Sequence, residues 1–132
     1  MHTYFHVGDI SAVRVSGLGD TDYLDKVRDF NRFHQAGAIK VNAEIDRVYV
    51  DTSAECVIHD DHLGRRIHVG KSGSLTTVVW NPWVEKCAQM GDMGEEGYRR
   101  MICVESANAH DNVLTLQPGE SHTLGVRYWV ER

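Results

Sequence analysis

A carboxylate that ends an apolar run is the first candidate for acid–base chemistry in this sequence. Glu105 directly follows the four apolar residues Met101, Ile102, Cys103 and Val104. Partial removal from water raises the pKa of a carboxyl group and makes its anion a stronger base. A solvated glutamate at a strand end is the competing explanation. The pattern therefore makes Glu105 a candidate general base and leaves a surface role open.

A second acidic residue, Asp46, lies in a strand-like segment with Arg47 beside it. The apolar residues Ile45, Val48 and Tyr49 surround the two charges. Because successive side chains of a strand point to opposite faces, at most one of the two can face a cleft. Asp46 and Arg47 are candidate ligand-binding residues, and a surface salt bridge of little energetic weight is the alternative.

A tryptophan-rich turn is the third candidate. Trp80, Asn81, Pro82 and Trp83 follow one another, and an indole ring can pack on the apolar face of a sugar. Trp80 and Asn81 are therefore candidate sugar-binding residues. Packing of the two rings in the core or in the turn is the alternative.

The sequence offers little support for a metal site. Of eight histidines, only those in residues 59–62 form a dense group with acidic residues, and this segment is predicted to be a solvated hairpin turn. The cysteines number three, lie at Cys56, Cys87 and Cys103, and lack the spacing of a tetrahedral zinc site. We expect them to be reduced and structural.

The elements that position these candidates are predicted to be strands. Short segments rich in Val, Ile, Thr, Tyr and Trp alternate with Gly, Asp and Asn turns, which favours an all-β, antiparallel β-sandwich. Residues 20–33 have roughly helical spacing but could equally form a long ordered loop, and residues 83–90 could form a short helix. The predicted strands cover residues 11–16, 41–50, 55–59, 66–69, 75–80, 100–105, 112–117 and 122–130.

Composition limits the partners. The chain has 132 residues, 42% of them hydrophobic, which predicts a single folded domain over residues 1–132. The net charge of −5, without a basic stripe, argues against a nucleic acid partner. The longest apolar run, near residues 75–80, is too short to cross a membrane, and the start lacks the pattern of a signal peptide. We expect a soluble, cytoplasmic protein.

Short blocks along the whole chain resemble one family. In order and density they are similar to the C-terminal half of the glucose-6-phosphate 1-epimerases, or hexose-6-phosphate mutarotases, of the aldose 1-epimerase family. The blocks are HTYF at 2–5, VGDI at 7–10, GL at 17–18 with Tyr23, Asp25 and Lys26, EIDRVY at 44–49, VWNPW at 79–83 with Glu85 and Lys86, MGDM at 90–93, CVE at 103–105, PGE at 118–120 and HTL at 122–124.

The resemblance implies a fold and a reaction. The fold is a galactose-mutarotase-like β-supersandwich with the sugar in a cleft on one sheet. The reaction interconverts the α and β anomers of a hexose 6-phosphate, such as glucose 6-phosphate, by opening and reclosing the ring without a metal or organic cofactor. Glu105 would be the base toward the C1 hydroxyl, His2 the acid toward the ring oxygen, and Asp46 an acceptor for a sugar hydroxyl.

His2 is a catalytic candidate only because of this resemblance, since a histidine so close to a chain end would otherwise be assigned to a frayed segment. A general acid must be held in place to be effective. We therefore expect Tyr4 or Phe5 to anchor the segment of His2 in a sheet.

The resemblance covers only about half of a typical family member. The phosphate-binding arginines of the family lie, by resemblance, in the N-terminal half, and exposed sheet edges are expected here. The chain is then either a piece of a longer enzyme or a short form that pairs with a second copy. A non-catalytic carbohydrate-binding module and a purely structural fragment are the competing interpretations.

Overall fold

Alternating apolar side chains assemble eleven strands into two antiparallel sheets in the computed structural model, which describes residues 1–132. The strands are β1 (Tyr4–His6), β2 (Val13–Ser16), β3 (Asp22–Asp25), β4 (Asn31–His34), β5 (Ile39–Lys40), β6 (Ile45–Tyr49), β7 (Cys56–Asp60), β8 (Arg65–Ser72), β9 (Thr76–Asn81), β10 (Met101–Ala107) and β11 (Gly125–Glu131). The six-stranded sheet has the order β1-β10-β9-β6-β3-β4, and the five-stranded sheet has the order β11-β8-β7-β2-β5. The predicted all-β sandwich is confirmed.

Helical structure is limited to short segments. One α-helix, α1 (Trp83–Gln89), follows β9 where a short helix was predicted. The 3-10 turns cover Ile10–Ala12, Lys26–Arg28, Gly97–Arg100 and His110–Asn112. None of these helices has the length and apolar character needed to span a membrane.

The main core lies between the two sheets. Val15 and Ile58 of the five-stranded sheet and Val79, Ile102 and Val104 of the six-stranded sheet are at most 1% exposed and belong to one cluster of 20 buried residues. Burial of each such side chain stabilises the fold by roughly 1.5–3 kcal/mol. Because strands alternate, the residues between these positions on β9 and β10 point to the outer face of the six-stranded sheet.

Residues 20–33 form a hairpin, so the predicted helix and the alternative long loop are both wrong. β3 and β4 pair antiparallel with Tyr23 opposite Phe33. Asp29 and Phe30 have φ values of 54° and 58°, and these two left-handed residues reverse the chain. The apolar spacing suggested a helix because it included Phe30, which is instead exposed at the turn.

The predicted strand at residues 112–117 is also wrong. Asn112 ends a 3-10 turn and its side chain contacts Asp51, while the following residues have no regular structure. This segment carries the chain from β10 to β11 on the other sheet and has no strand to pair with. Val113, Leu114 and Leu116 are exposed as a result, and an apolar pattern alone could not reveal the missing partner strand.

A buried carboxylate fixes the position of β1. The side chain of Asp60 is fully buried and accepts hydrogen bonds from the backbone N–H groups of Gly8 and Leu63. It also pairs with Arg65 at 3.4 Å, and Arg65 donates to the carbonyl of His6 at 2.6 Å. The turn predicted to be solvated therefore contains a buried anchor that ties the end of β1 to the β7–β8 hairpin.

Replacement of this anchor should be costly. We expect Asp60→Ala to lower the free energy of unfolding by about 3–5 kcal/mol, because it leaves Arg65 and two N–H groups without their partner. Asp61→Ala is the matched control, since Asp61 is exposed and pairs only with Arg14 in the structure; it should cost about 0–1 kcal/mol. Urea denaturation of both variants measures the difference, and equal losses would contradict the anchoring role.

Candidate active site

The outer face of the six-stranded sheet carries a cavity of about 410 Å³ over β10, β9 and β6. Its floor and walls come from alternate residues of these strands, from α1, and from the segments that precede β1 and follow β3 and β10. The lining residues are His2, Lys26, Asp46, Val48, Val78, Trp80, Lys86, Glu105, Ala107, Ala109 and His110. Four of the six residues named as site candidates from the sequence, His2, Glu105, Asp46 and Trp80, therefore share one cavity.

The pairing of β1 with β10 brings His2 to Glu105. Tyr4 lies opposite Cys103 in this antiparallel ladder. Extension of the same register by two residues sets His2 opposite Glu105, where cross-strand side chains lie on one face with Cβ atoms about 4.5–5.5 Å apart. Nε2 of His2 is 3.3 Å from Oε1 of Glu105. An imidazole and a carboxylate at this distance can exchange a proton.

Aromatic contacts hold His2 in the cavity. Its ring stacks on Tyr4, with centroids 5.1 Å apart, and meets the edge of Trp80 at 6.0 Å. Phe5 points to the other face, where it is buried in the core. The backbone amine of Met1 also donates to the carbonyl of Ser106 at 2.9 Å. Tyr4 and Phe5 thus both anchor the segment, as the sequence predicted for at least one of them.

Glu105 is an acid with a raised pKa in the cavity. Its side chain is only 14% exposed, and burial raises the pKa of its carboxyl group above the ordinary value. The negative charge of Asp46 raises this pKa further, whereas His2 and Lys26 lower it. The desolvation expected at the end of the apolar run is therefore present, and it favours a carboxylate that accepts protons readily.

A second charged pair lies across the cavity. Nζ of Lys26 is 3.1 Å from Oδ2 of Asp46, whose side chain is 12% exposed. Asp25 lies opposite Arg47 in the β3–β6 ladder, so the next residue, Lys26, falls opposite Asp46. The carboxylate of Asp25 accepts from the N–H of Val27 and fixes the 3-10 turn that begins at Lys26. Lys26 is thus directed at the aspartate.

Two sequence candidates lie outside the cavity. Arg47 is on the opposite face of β6 from Asp46, where it donates to Oε1 of Gln35 and lies 4.8 Å from the ring centroid of Tyr23. Asn81 is fully buried: it donates to the carbonyls of residues 98 and 101, and it accepts from the N–H of Trp83 at the start of α1. Of the residues in the Trp-Asn-Pro-Trp turn, Trp80 therefore lines the cavity, and the others contribute to the turn and to core packing.

Sequence reasoning missed Lys26, Lys86 and His110 as cavity residues. Lys86 comes from α1 and pairs with Glu44 at 3.0 Å. Lys26 and Lys86 appeared only as parts of family-like blocks, and Lys26 carried a further signal. The strand register that aligns it with Asp46 was the signal that could have identified it, but this required the hairpin at residues 20–33 to be recognised.

One further donor lies at this site. The side chains of His2, Cys103 and Glu105 offer a nitrogen, a sulfur and an oxygen within 4.8 Å of one another. Cys103 is fully buried, and its pKa is raised by burial and by the charges of Glu105 and Asp46. These three residues are the ones that could hold a metal ion.

Known proteins resemble this chain in sequence and in fold. A protein of Cenchrus ciliaris, provisionally named a glucose-6-phosphate 1-epimerase, is 44% identical over 120 residues, which are 90% of this chain and 36% of that protein. The solved structure of YeaD from Salmonella typhimurium, provisionally named a mutarotase, is 42% identical with a TM-score of 0.76, and the match covers 80% of this chain and 36% of that one. The solved structure of HI1317 is 29% identical with a TM-score of 0.84 over 99% of this chain and 45% of its own.

The chain thus spans less than half the length of these relatives. A family model described as aldose 1-epimerase matches residues 1–129. Because that match covers nearly every residue, the chain belongs to the aldose 1-epimerase family.

Proposed function

We propose that this chain carries the acid–base centre of a hexose mutarotase, which interconverts the α and β anomers of an aldose by opening and reclosing its ring. The observation that carries the proposal is the 3.3 Å contact between His2 and a desolvated Glu105 at one end of the cavity. The two oxygens that exchange protons in ring opening are bonded to the same carbon. Two groups in mutual contact can therefore reach both.

The proposed proton transfers balance within one cycle. Ionised Glu105 removes the proton of the C1 hydroxyl, and protonated His2 delivers a proton to the ring oxygen as its bond to C1 breaks. Rotation about the bond between C1 and C2 turns the aldehyde over. Neutral His2 then takes back the proton of the former ring oxygen while Glu105 protonates the carbonyl oxygen. Both residues finish the cycle in their starting states.

Substrate orientation is assigned to the second charged pair and to Trp80. A sugar hydroxyl can donate to Asp46, and the same or a neighbouring hydroxyl can accept from Lys26. About 10 Å separates the backbones of β10 and β6, since neighbouring strands lie about 4.8 Å apart and β9 lies between them. A sugar ring seated over β9 would contact Val78 and Trp80 and would present C1 to Glu105.

The proposed substrate is a hexose or a hexose 6-phosphate, with glucose 6-phosphate the first candidate because a 44% identical relative bears that name. The cavity residues of this chain include no arginine, and both lysines pair with carboxylates. Strong recognition of a phosphate dianion usually uses unpaired cationic donors. A phosphate-binding part is therefore assigned to the portion of the family fold that this chain does not span.

The decisive experiment is exchange NMR on equilibrated glucose 6-phosphate anomers. The chain should speed anomer exchange above the spontaneous rate, and Glu105→Gln should remove about 10²-fold or more of that acceleration, because it lacks the base. Glu95→Gln changes an exposed glutamate that does not line the cavity and should leave exchange unchanged. Exchange at background from folded protein, with saturable quenching of tryptophan fluorescence by sugar, would replace the mutarotase with a carbohydrate-binding module.

The titration of Glu105 gives a second prediction. Carbon-13 NMR of its carboxyl group should show a midpoint above the ordinary value of about 4.3 because the side chain is desolvated. Asp46→Asn removes a negative charge and should lower the midpoint, whereas Lys26→Met removes a positive charge and should raise it. The acceleration of anomer exchange by the chain should be lost as the pH falls through the same midpoint, since only ionised Glu105 is a base. Shifts in the reverse directions would contradict this electrostatic account.

The phosphate assignment can be tested by comparing substrates. This chain alone should accelerate the anomer exchange of glucose and of glucose 6-phosphate to a similar extent, because its cavity lacks an unpaired cation for the phosphate. Saturation curves for both sugars under the same ionic strength supply the measurement. A strong preference of the isolated chain for the phosphorylated sugar would overturn the assignment and direct attention to Lys26 and Lys86.

A further inference from the structure

Cys103 is a buried thiol beside the proposed acid and base for which the ring-opening reaction has no use. It lies on β10 two residues before Glu105, on the same outer face of the sheet, and opposite Tyr4 in the neighbouring strand. Its sulfur lies within 4.8 Å of a ring nitrogen of His2 and of a carboxylate oxygen of Glu105. A nitrogen and an oxygen of two cavity residues and a sulfur buried beside the cavity thus converge.

This combination of donors suits zinc. Zn²⁺ binds cysteine sulfur at about 2.3 Å and histidine nitrogen or carboxylate oxygen at about 2.0–2.2 Å, so two ligands of a tetrahedral ion lie about 3.4–3.6 Å apart. Nε2 of His2 and Oε1 of Glu105 are 3.3 Å apart, which already matches this spacing. Cys103 Sγ lies within 4.8 Å of both atoms, so it needs to approach them by about 1.2–1.4 Å at most to complete the set.

Charge and access also favour a cation here. Glu105 and Asp46 both contribute negative potential at the thiol, and the cationic Lys26 is engaged with Asp46. The side chain of His2 is 54% exposed at the cavity mouth, whereas Cys103 is fully buried. An ion would therefore enter from the cavity on the His2 side and reach the thiol, which is buried beneath the residues that line the cavity. Hard cations such as Mg²⁺ prefer all-oxygen sites and would not compete well.

We propose that His2, Cys103 and Glu105 form a three-ligand Zn²⁺ site and that the bound ion inhibits the chain. On binding, the thiol releases its proton to solvent and the sulfur becomes a thiolate ligand. The same ion occupies the lone pairs of the His2 imidazole and of the Glu105 carboxylate. The inhibitory half of the proposal rests on the proposed ring-opening function, since those lone pairs are the ones that accept protons there. The metal site itself is independent of it.

The test uses Co²⁺ as a spectroscopic substitute for zinc on the untagged chain freed of metal by a chelator. One equivalent of Co²⁺ should produce a thiolate-to-cobalt charge-transfer band, and Zn²⁺ but not Mg²⁺ should displace it. Cys103→Ser should abolish the band and weaken zinc binding by at least about tenfold, because even indirect partners of a metal ligand contribute about 10–100-fold in affinity. Cys87→Ser is the matched control: its sulfur contacts Gly94 and Tyr98, roles that a hydroxyl can fill, and the band should persist.

The outcomes separate the two halves of the proposal. A missing band in the wild-type chain, or a band that persists in Cys103→Ser, would overturn the metal site. Should Cys103→Ser fail to fold by circular dichroism, His2→Gln supplies the second variant and must weaken cobalt binding while the sulfur band remains. Zinc should also slow anomer exchange in the wild-type chain, measured relative to the same chain in chelator. Binding without slowing would remove the inhibitory role, whereas a cobalt band in a chain without any exchange would refute the proposed function and keep the metal site.

Discussion

The register of β1 against β10 is the constraint on which the candidate site depends. Tyr4 opposite Cys103 means that His2 falls opposite Glu105, and a slip of one residue would turn the histidine to the other face of the sheet. The buried contact of Asp60 with Gly8 and the exposed hydrogen bond from Arg65 to the carbonyl of His6 hold that strand at its other end. The geometry of a site on the outer face is thus fixed by a charge network at the margin of the sandwich.

The two faces of the six-stranded sheet have different roles. Inward residues of β6, β9 and β10 build the core, and outward residues build the cavity. This division explains why Arg47 and Asn81, each adjacent in sequence to a cavity residue, are engaged elsewhere. It also aligns the outward residues in rows, because Cys103, Trp80 and Asp46 lie opposite one another across three strands. Lys26 extends that row at one end as Tyr4 does at the other.

Local sequence patterns predicted most of the fold but not the pairing of distant segments. Alternation identified the strands around Val15, Val48 and Val79, since one face of each is buried against the other sheet. It failed at residues 20–33, where a hairpin turn placed apolar residues at helical spacing, and at residues 112–117, which have no partner strand. Glu105 carried a local signal in its apolar run. His2 had none, because its role depends on a contact 103 positions away in the chain, and Lys26 depends in the same way on the β3–β6 register.

The desolvation that makes Glu105 a stronger base also places a metal-binding thiol beside it. A carboxylate gains basicity when it is removed from water, and the apolar residues that achieve this around Glu105 include the thiol of Cys103. A protonated thiol packs there as a small apolar group, and the raised pKa of Cys103 keeps it protonated. A thiophilic cation changes that balance, because coordination stabilises the thiolate directly beside an imidazole and a carboxylate that are already at ligand spacing. A valine at this position would give the same desolvation without this affinity, so the identity of residue 103 governs sensitivity to metals separately from the acid–base pair.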